Sequence, residues 1–139
     1  MTTDKHPDTG TESAAVRELL GTYETALNTS DAGLAVSLYS TRGVFLPFQG
    51  PTATGPQQLL QGYQAIFAAI RLEVAFTIDD ITVDGDTAHA LTRSAGHATD
   101  LASGTRSPEH NRELFVFDRT ADGWRIARYM FNKPPTGTA

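Results

Sequence analysis

The sequence contains no cysteine, and its 11 Lys and Arg residues are outnumbered by 16 Asp and Glu. The missing cysteines exclude disulfides, thiolate metal sites and cysteine nucleophiles. A formal net charge of −5, with no run of Lys and Arg, argues against a nucleic-acid-binding surface. No apolar stretch approaches the roughly 18 residues that a membrane-spanning helix needs. The first twelve residues, MTTDKHPDTGTE, are polar and lack the apolar centre of a signal peptide. A soluble, cytoplasmic protein without membrane or nucleic-acid partners is therefore expected. No phosphate loop, dinucleotide fingerprint or zinc motif occurs. The cluster Asp79, Asp80, Asp84 and Asp86 lacks the calcium-loop pattern and reads as turn chemistry. His110 has no metal-ligand spacing with His89 or His97, and Ser94, Ser103 and Ser107 sit in no nucleophile motif. No metal and no cofactor are expected.

What is present fits one domain. A chain of 139 residues with 40% hydrophobic residues can bury a single core. The domain is expected over 13–133, between flexible tails at 1–12 and 134–139 that are rich in Thr, Pro and Gly. Over 13–28, Val16, Leu19, Leu20, Tyr23, Ala26 and Leu27 recur at helical spacing. A short second helix from Ser30 or Asp31 would bury Leu34, Leu38 and Tyr39. A β-prone run, GVFLPF, precedes a third helix with Pro56 at its first position and Leu59, Leu60, Tyr63, Ile66, Phe67 and Ile70 on its apolar face.

The second half changes period. Segments 71–83 and 86–99 flank Asp84-Gly85, a two-residue hairpin signal. Counting from that turn opposes Phe76 to Arg93, Val74 to Ala95, Leu72 to His97 and Ile78 to Leu91. A loop is expected over 100–109. Segments 110–119 and 124–132 then form a closing hairpin around a polar turn. The order predicts an α+β domain with three N-terminal helices on a curved, mostly antiparallel sheet, forming a cone with a cavity.

The closing hairpin carries the clearest chemistry. Asn111, Glu113, Phe115 and Phe117 alternate on one strand, and Trp124, Ile126, Arg128, Met130 and Asn132 on the other. Pairing Phe117 with Trp124 and Phe115 with Ile126 brings Glu113 opposite Arg128. That ion pair either forms the polar floor of a cavity or lies exposed on the other face, and a β-bulge would change the register. The opposite face (Leu114, Val116, Ala127, Tyr129, Phe131) is apolar for a surface meant to meet water, so a homodimer through it is expected. Arg93 and His97 either orient a ligand oxygen or act as acid and base, or are the polar side of a half-exposed strand. His89 and Asp80 meet near the turn and are expected to be solvated. Tyr23 and Tyr39 lie on helical apolar faces as core residues.

HNRELFVFDRTADGWRIARYMFN resembles the C-terminal signature of the SgcJ/EcaC family, within the SnoaL-like, nuclear transport factor 2-like superfamily. GVFLPFQGPTATGPQQLLQGYQAIF resembles the family's first strand and third helix, and VDGDTAHALTRSAG its central hairpin. The resemblance covers about residues 13–132 and extends to the SgcJ-type proteins of bacterial enediyne biosynthesis. It implies a cone-shaped, cystatin-like α+β fold, dimerisation through the outer sheet face and a pocket for a hydrophobic small molecule. Isomerases and cyclases of this fold carry an Asp base near the end of the first strand. Here that neighbourhood is Phe45-Leu46-Pro47-Phe48-Gln49, without a carboxylate or His.

Three functions follow as expectations. The first is an accessory protein of polyketide or enediyne metabolism that binds a polyketide-derived molecule through Tyr23, Phe45, Phe76, Arg93, His97, Glu113, Phe115, Arg128, Met130 and Asn132. The second is a cofactor-independent cyclase, isomerase or dehydratase with Glu113 or His97 as acid/base and Arg128 as electrostatic stabiliser. The third is a dimerisation module without ligand.

Overall fold

The computed structural model describes residues 9–135. Its elements are α1 (Thr9–Asn28), α2 (Ala32–Ser37), β1 (Tyr39–Leu46), β2 (Ala53–Thr54), α3 (Gly55–Ala69), β3 (Ile70–Asp84), β4 (Thr87–Asp100), β5 (Arg106–Thr120) and β6 (Gly123–Asn132). The strands form one sheet in the order β2-β1-β6-β5-β4-β3, in which β1 and β6 run parallel and the other neighbours antiparallel. The α+β expectation holds, and the three N-terminal helices are matched roughly, the third following β1 and β2. Among the described residues, no helix is long and apolar enough to cross a membrane.

α1 buries Val16, Leu20, Tyr23 and Leu27, a stripe at helical spacing. It begins four residues before the expected Ser13, and the reason is tertiary. Glu12, assigned to a flexible tail from the sequence, is buried, accepting from the indole N–H of Trp124 at 2.7 Å and from Arg119 at 2.7 Å. The rest of that expected tail, residues 1–8, lies outside the described residues, as do 136–139 of the second. At its other end, α1 covers an edge of the sheet. Asn28 donates to Val74 O and accepts from Val74 N, while Glu24 accepts from Phe76 N. These bonds satisfy outward-facing groups of β3 that an open edge would expose.

Asp31 caps α2 by accepting from Leu34 N at 3.0 Å. Ala35 is the buried residue of this helix, whereas Leu34 and Leu38 are half-buried. Tyr39 is buried as expected, but as the first residue of β1 rather than on a helical face. Pro56 stands in the first turn of α3, where Leu59 and Tyr63 are buried and Leu60 is exposed. The loop expected over 100–109 shrinks to a turn, because β4 runs to Asp100 and β5 starts at Arg106.

Two single-residue bulges decide the rest. Gly85 (φ +63) and Asp86 form the turn between the paired Asp84 and Thr87, one position later than expected. Glycine first with positive φ and an L-residue second without it is the φ pattern of a II′ turn. Farther along, Asp79 bulges out between the pairs Ile78–Thr92 and Asp80–Leu91. Beyond it Phe76 opposes Ser94, not Arg93, Val74 opposes Gly96, not Ala95, and Leu72 opposes Ala98, not His97. In the closing hairpin, Ala127 bulges out of β6 between Ile126 and Arg128. Past it Phe115 pairs with Tyr129 and Glu113 with Phe131, so Arg128, Met130 and Asn132 turn to the outer face. The expected Glu113–Arg128 pair does not exist. Tyr129, Phe131 and Ala127, expected outside, are instead buried or half-buried. An extra residue on one strand reverses which side chains point inward from there on.

Candidate functional site

The inner face divides into a packed end and a hollow end. Near the two hairpin turns, Ala88, Ala90, Phe115, Phe117 and Ile126 are buried in a continuous core. Past the bulges, a cavity of about 340 Å³ opens between the sheet, α1 and α3. One wall is aromatic. The Phe45 ring stacks between Tyr63 (5.0 Å) and Tyr129 (5.3 Å), with Phe131 and Phe76 extending the surface. Its rim includes the turn over 47–50, closed by Gly50 N donating to Pro47 O, which leaves Phe48 exposed and lining the cavity. Gln49 in this turn has φ 57, uncommon for a residue other than glycine.

The opposite wall is a polar strip built by strand alternation. Glu109, Asn111 and Glu113 on β5 share the inner face with Ser94 on β4, and all four line the cavity. Gly96, opposite Glu109, leaves no room for any side chain, since a Cβ there would lie 1.9 Å from Glu73 O. Glu113 is 4% exposed and, among the described residues, has no cation in contact. Thr92 Oγ1 donates to its Oε1 at 2.6 Å and Ser94 Oγ to its Oε2 at 2.5 Å. Burial pushes the Glu113 carboxyl above the usual carboxylate range, and these two hydrogen bonds oppose the rise. Lys133, just after β6, donates to Glu109 at 2.6 Å and to Asn111 Oδ1 at 2.7 Å. Asn111 Nδ2 in turn donates to Ser94 Oγ and Glu109, each at 3.1 Å.

Deeper in, three phenols meet. The Tyr63 hydroxyl lies 2.6 Å from those of both Tyr23 and Tyr39. Burial raises all three, and Tyr129, well above the ordinary phenol range, so they stay neutral and act as hydrogen-bond donors and acceptors. An aromatic slot with a carboxyl on one wall and neutral phenols at its base suits a flat apolar molecule bearing oxygen. Among the described residues, no three His, Asp, Glu or Cys side chains converge to hold a metal ion.

Of the residues singled out in the sequence, Tyr23, Phe45, Phe76 and Glu113 line this cavity together. Phe115 is fully buried behind it, stacked on Tyr129 at 4.1 Å. The others stand elsewhere. Arg93 is on the outer face, donating twice to Asp79 and holding that carboxyl below its usual range. His97 opposes Glu73 and Pro108 on the same outer face. Arg128 donates to the carbonyls of Ala127 and Arg42, Met130 is 49% exposed, and Asn132 accepts from Arg112. The two bulges account for all five displacements. His89 and Asp80 do meet, at 3.9 Å, and both are half-exposed. Sequence reasoning missed Tyr63, Ser94 and Glu109 as cavity-lining groups, and Thr92 and Lys133 as the donors to its two carboxylates. The alternation Glu109, Asn111, Glu113 was a signal for part of that set; nothing local marked Lys133.

Comparison with known proteins places this geometry. The SnoaL-like domain family matches residues 9–130. A ketosteroid isomerase-like protein from Erwinia carotovora atroseptica is similar, at 28% identity and a TM-score of 0.84, covering 89% of this chain and 97% of that one. A nuclear transport factor 2-like superfamily protein from Salmonella enterica serovar Typhimurium shares 20% identity at a TM-score of 0.83, covering 95% and 97%. A candidate dehydratase of the NTF2-like family from Streptomyces avermitilis shares 20% identity at 0.79, covering 93% and 100%. Curated proteins yield no match. With helices on one face of a six-stranded sheet and the family match running from α1 into β6, the chain belongs to the SnoaL-like domain family and has the nuclear transport factor 2-like fold.

Proposed function

We propose that this domain binds a hydrophobic, polyketide-derived small molecule between sheet and helices, as a cytoplasmic accessory protein of bacterial secondary metabolism. The carrying observation is the cavity itself, whose volume of about 340 Å³ is walled by Phe45, Tyr63, Tyr129 and Phe131 and faced by one polar strip. Small-molecule sites have this build, an apolar enclosure of roughly 300–1,000 Å³ with a few placed polar groups. The resemblance to the SgcJ/EcaC family supports an enediyne-type pathway as its setting. Extraction of the purified protein and mass spectrometry tests the reading. A conjugated apolar compound should be released from the wild type and be depleted from Ala65→Trp, which obstructs the exposed rim. Identical extracts from both proteins would overturn the assignment.

A second reading, acid–base catalysis of cyclisation, isomerisation or dehydration, is favoured by Glu113 alone. It is a buried, cavity-facing carboxyl with no cation in contact among the described residues. His97 and Arg128 drop out of this reading because both occupy the outer face. Glu113→Gln should then abolish turnover of a pathway intermediate and preserve binding. Undiminished product formation would reject it. The outer face supports a homodimer through a different set of residues than expected. Leu91, Leu114 and Met130 oppose one another across three strands and are 41–49% exposed.

A further inference from the structure

A chain of hydrogen bonds runs from Lys133 at the protein surface to the carboxyl inside the cavity, and its direction is set by chemistry. An ammonium group can only donate, so Asn111 must present Oδ1 to Lys133 and its amide hydrogens to the other side. Glu109, an acceptor, takes one of those hydrogens and reinforces the same orientation. The other goes to Ser94 Oγ. Ser94 is 4% exposed, and Glu113 Oε2 is the acceptor within its reach, so its own hydrogen points there. Thr92, 3% exposed, donates likewise to Oε1. Every link therefore turns its positive end towards Glu113.

We infer that Lys133 is a positioning residue whose donor-only chemistry, relayed through Asn111 and Ser94, holds Glu113 as a hydrogen-bond acceptor, so the cavity selects ligands that present a phenolic or enolic O–H to it. This rests on the cavity being a small-molecule site. The other groups facing Glu113 are Glu109 on the same strand, Tyr23 on α1 and Tyr129 on β6. Both tyrosines are neutral and Glu109 is engaged by Lys133 and Asn111, while the charge of Lys133 itself favours the Glu113 carboxylate in the same sense as the relay. A ketone or ether oxygen would face the filled lone pairs of Glu113, whereas a hydroxyl would meet them with a hydrogen.

The test has two arms. In the free protein, a carbon-13 titration of the Glu113 carboxyl, assigned with Glu113→Gln, should show its pKa rising in Lys133→Met and in Ser94→Ala. Lys133→Arg, also a pure donor, should keep the wild-type value. In the second arm, 2-naphthol and 2-methoxynaphthalene serve as probes that share a ring system and differ in whether the oxygen carries a hydrogen or a methyl group. The wild type and Lys133→Arg should prefer the naphthol at least tenfold, and Lys133→Met less than threefold. An unchanged Glu113 titration in both Lys133→Met and Ser94→Ala would overturn the relay. Equal binding of the two probes to the wild type would overturn the ligand assignment. Binding of neither probe would overturn that assignment together with the small-molecule reading, while the first arm decides the relay on its own.

Discussion

The two ends of the same four strands, β3 to β6, do opposite things. At the turn end, Ala88 and Ala90 make room for Phe115 and Phe117, and the inner face is solid. At the far end, Thr92, Ser94 and Gly96 follow on β4, Asn111 and Glu113 stand opposite, and the face is hollow. The strands do not change in kind between the ends; two inserted residues, Asp79 and Ala127, lie between them. The Ala127 bulge turns Tyr129 and Phe131 into the hollow end and Arg128 outward, leaving a cavity with an aromatic wall and a polar strip that contains no arginine. A bulge bends its strand as well as shifting its register, so one device supplies both curvature and composition.

The sharpest way to break this comparison is to delete Ala127. Without the bulge, Tyr129 and Phe131 would have to leave the inner face or the hairpin to unpair. Cooperative thermal unfolding should be lost by circular dichroism; a melt near that of the wild type would show that the register slips freely. Next, the ends should differ in their response to truncation. Phe115→Ala at the solid end should cost about 3–5 kcal/mol in urea denaturation, as large core deletions do. Phe131→Ala, half-buried beside an existing void, should cost about 1–2 kcal/mol. Equal losses would mean that the hollow end is as tightly packed as the other. Glu12→Ala should destabilise by about 1–3 kcal/mol, because it leaves the buried indole N–H of Trp124 without its acceptor.

Smaller effects sharpen the contrast. Burial raises Glu113 above its unfolded-state pKa, so the folded protein keeps that proton to higher pH than the unfolded chain does. This contribution to stability is complete below the unfolded pKa and disappears as pH rises through the folded one. The melting temperature of Glu113→Gln should therefore gain on the wild type across that window and level off above it. A constant difference from pH 3 to pH 8 would show that the carboxyl is not the hollow end's titrating group. Least in stability but largest in assembly, Leu114→Glu should change unfolding by no more than about 0.5 kcal/mol, as exposed substitutions do. It should convert a dimer to a monomer in light scattering; a monomeric wild type would remove the outer face from consideration.

Much of this architecture is legible from residue order. The stripe Val16, Leu20, Tyr23, Leu27 identifies α1, Pro56 marks the start of α3, and the alternation of Glu113, Phe115 and Phe117 names an inward face. These signals survive because helix and strand periods are properties of the local backbone. Glu113 was found for the same reason, since it shares an unbulged strand, β5, with the core residues Phe115 and Phe117. Arg93 and His97 were misplaced because their facing was read from a neighbour, β3, that carries an extra residue, and Arg128, Met130 and Asn132 because they follow the extra residue on their own strand. Neither Asp79 nor Ala127 bears a local mark of being that residue.

The sequence by itself determined the class of fold, the identity of the main elements and the strand face that Glu113 shares with Phe115 and Phe117. The absence of cysteine closed off disulfide and thiolate chemistry in the same way. Only the tertiary structure decided what surrounds the Glu113 carboxyl: Thr92 and Ser94 from β4, Asn111 beside it, and Lys133 arriving from beyond β6. The physical reason is distance along the chain. Periodicity reports which side of an element a residue occupies, whereas a hydrogen-bond network joins elements through registers that single inserted residues can reverse.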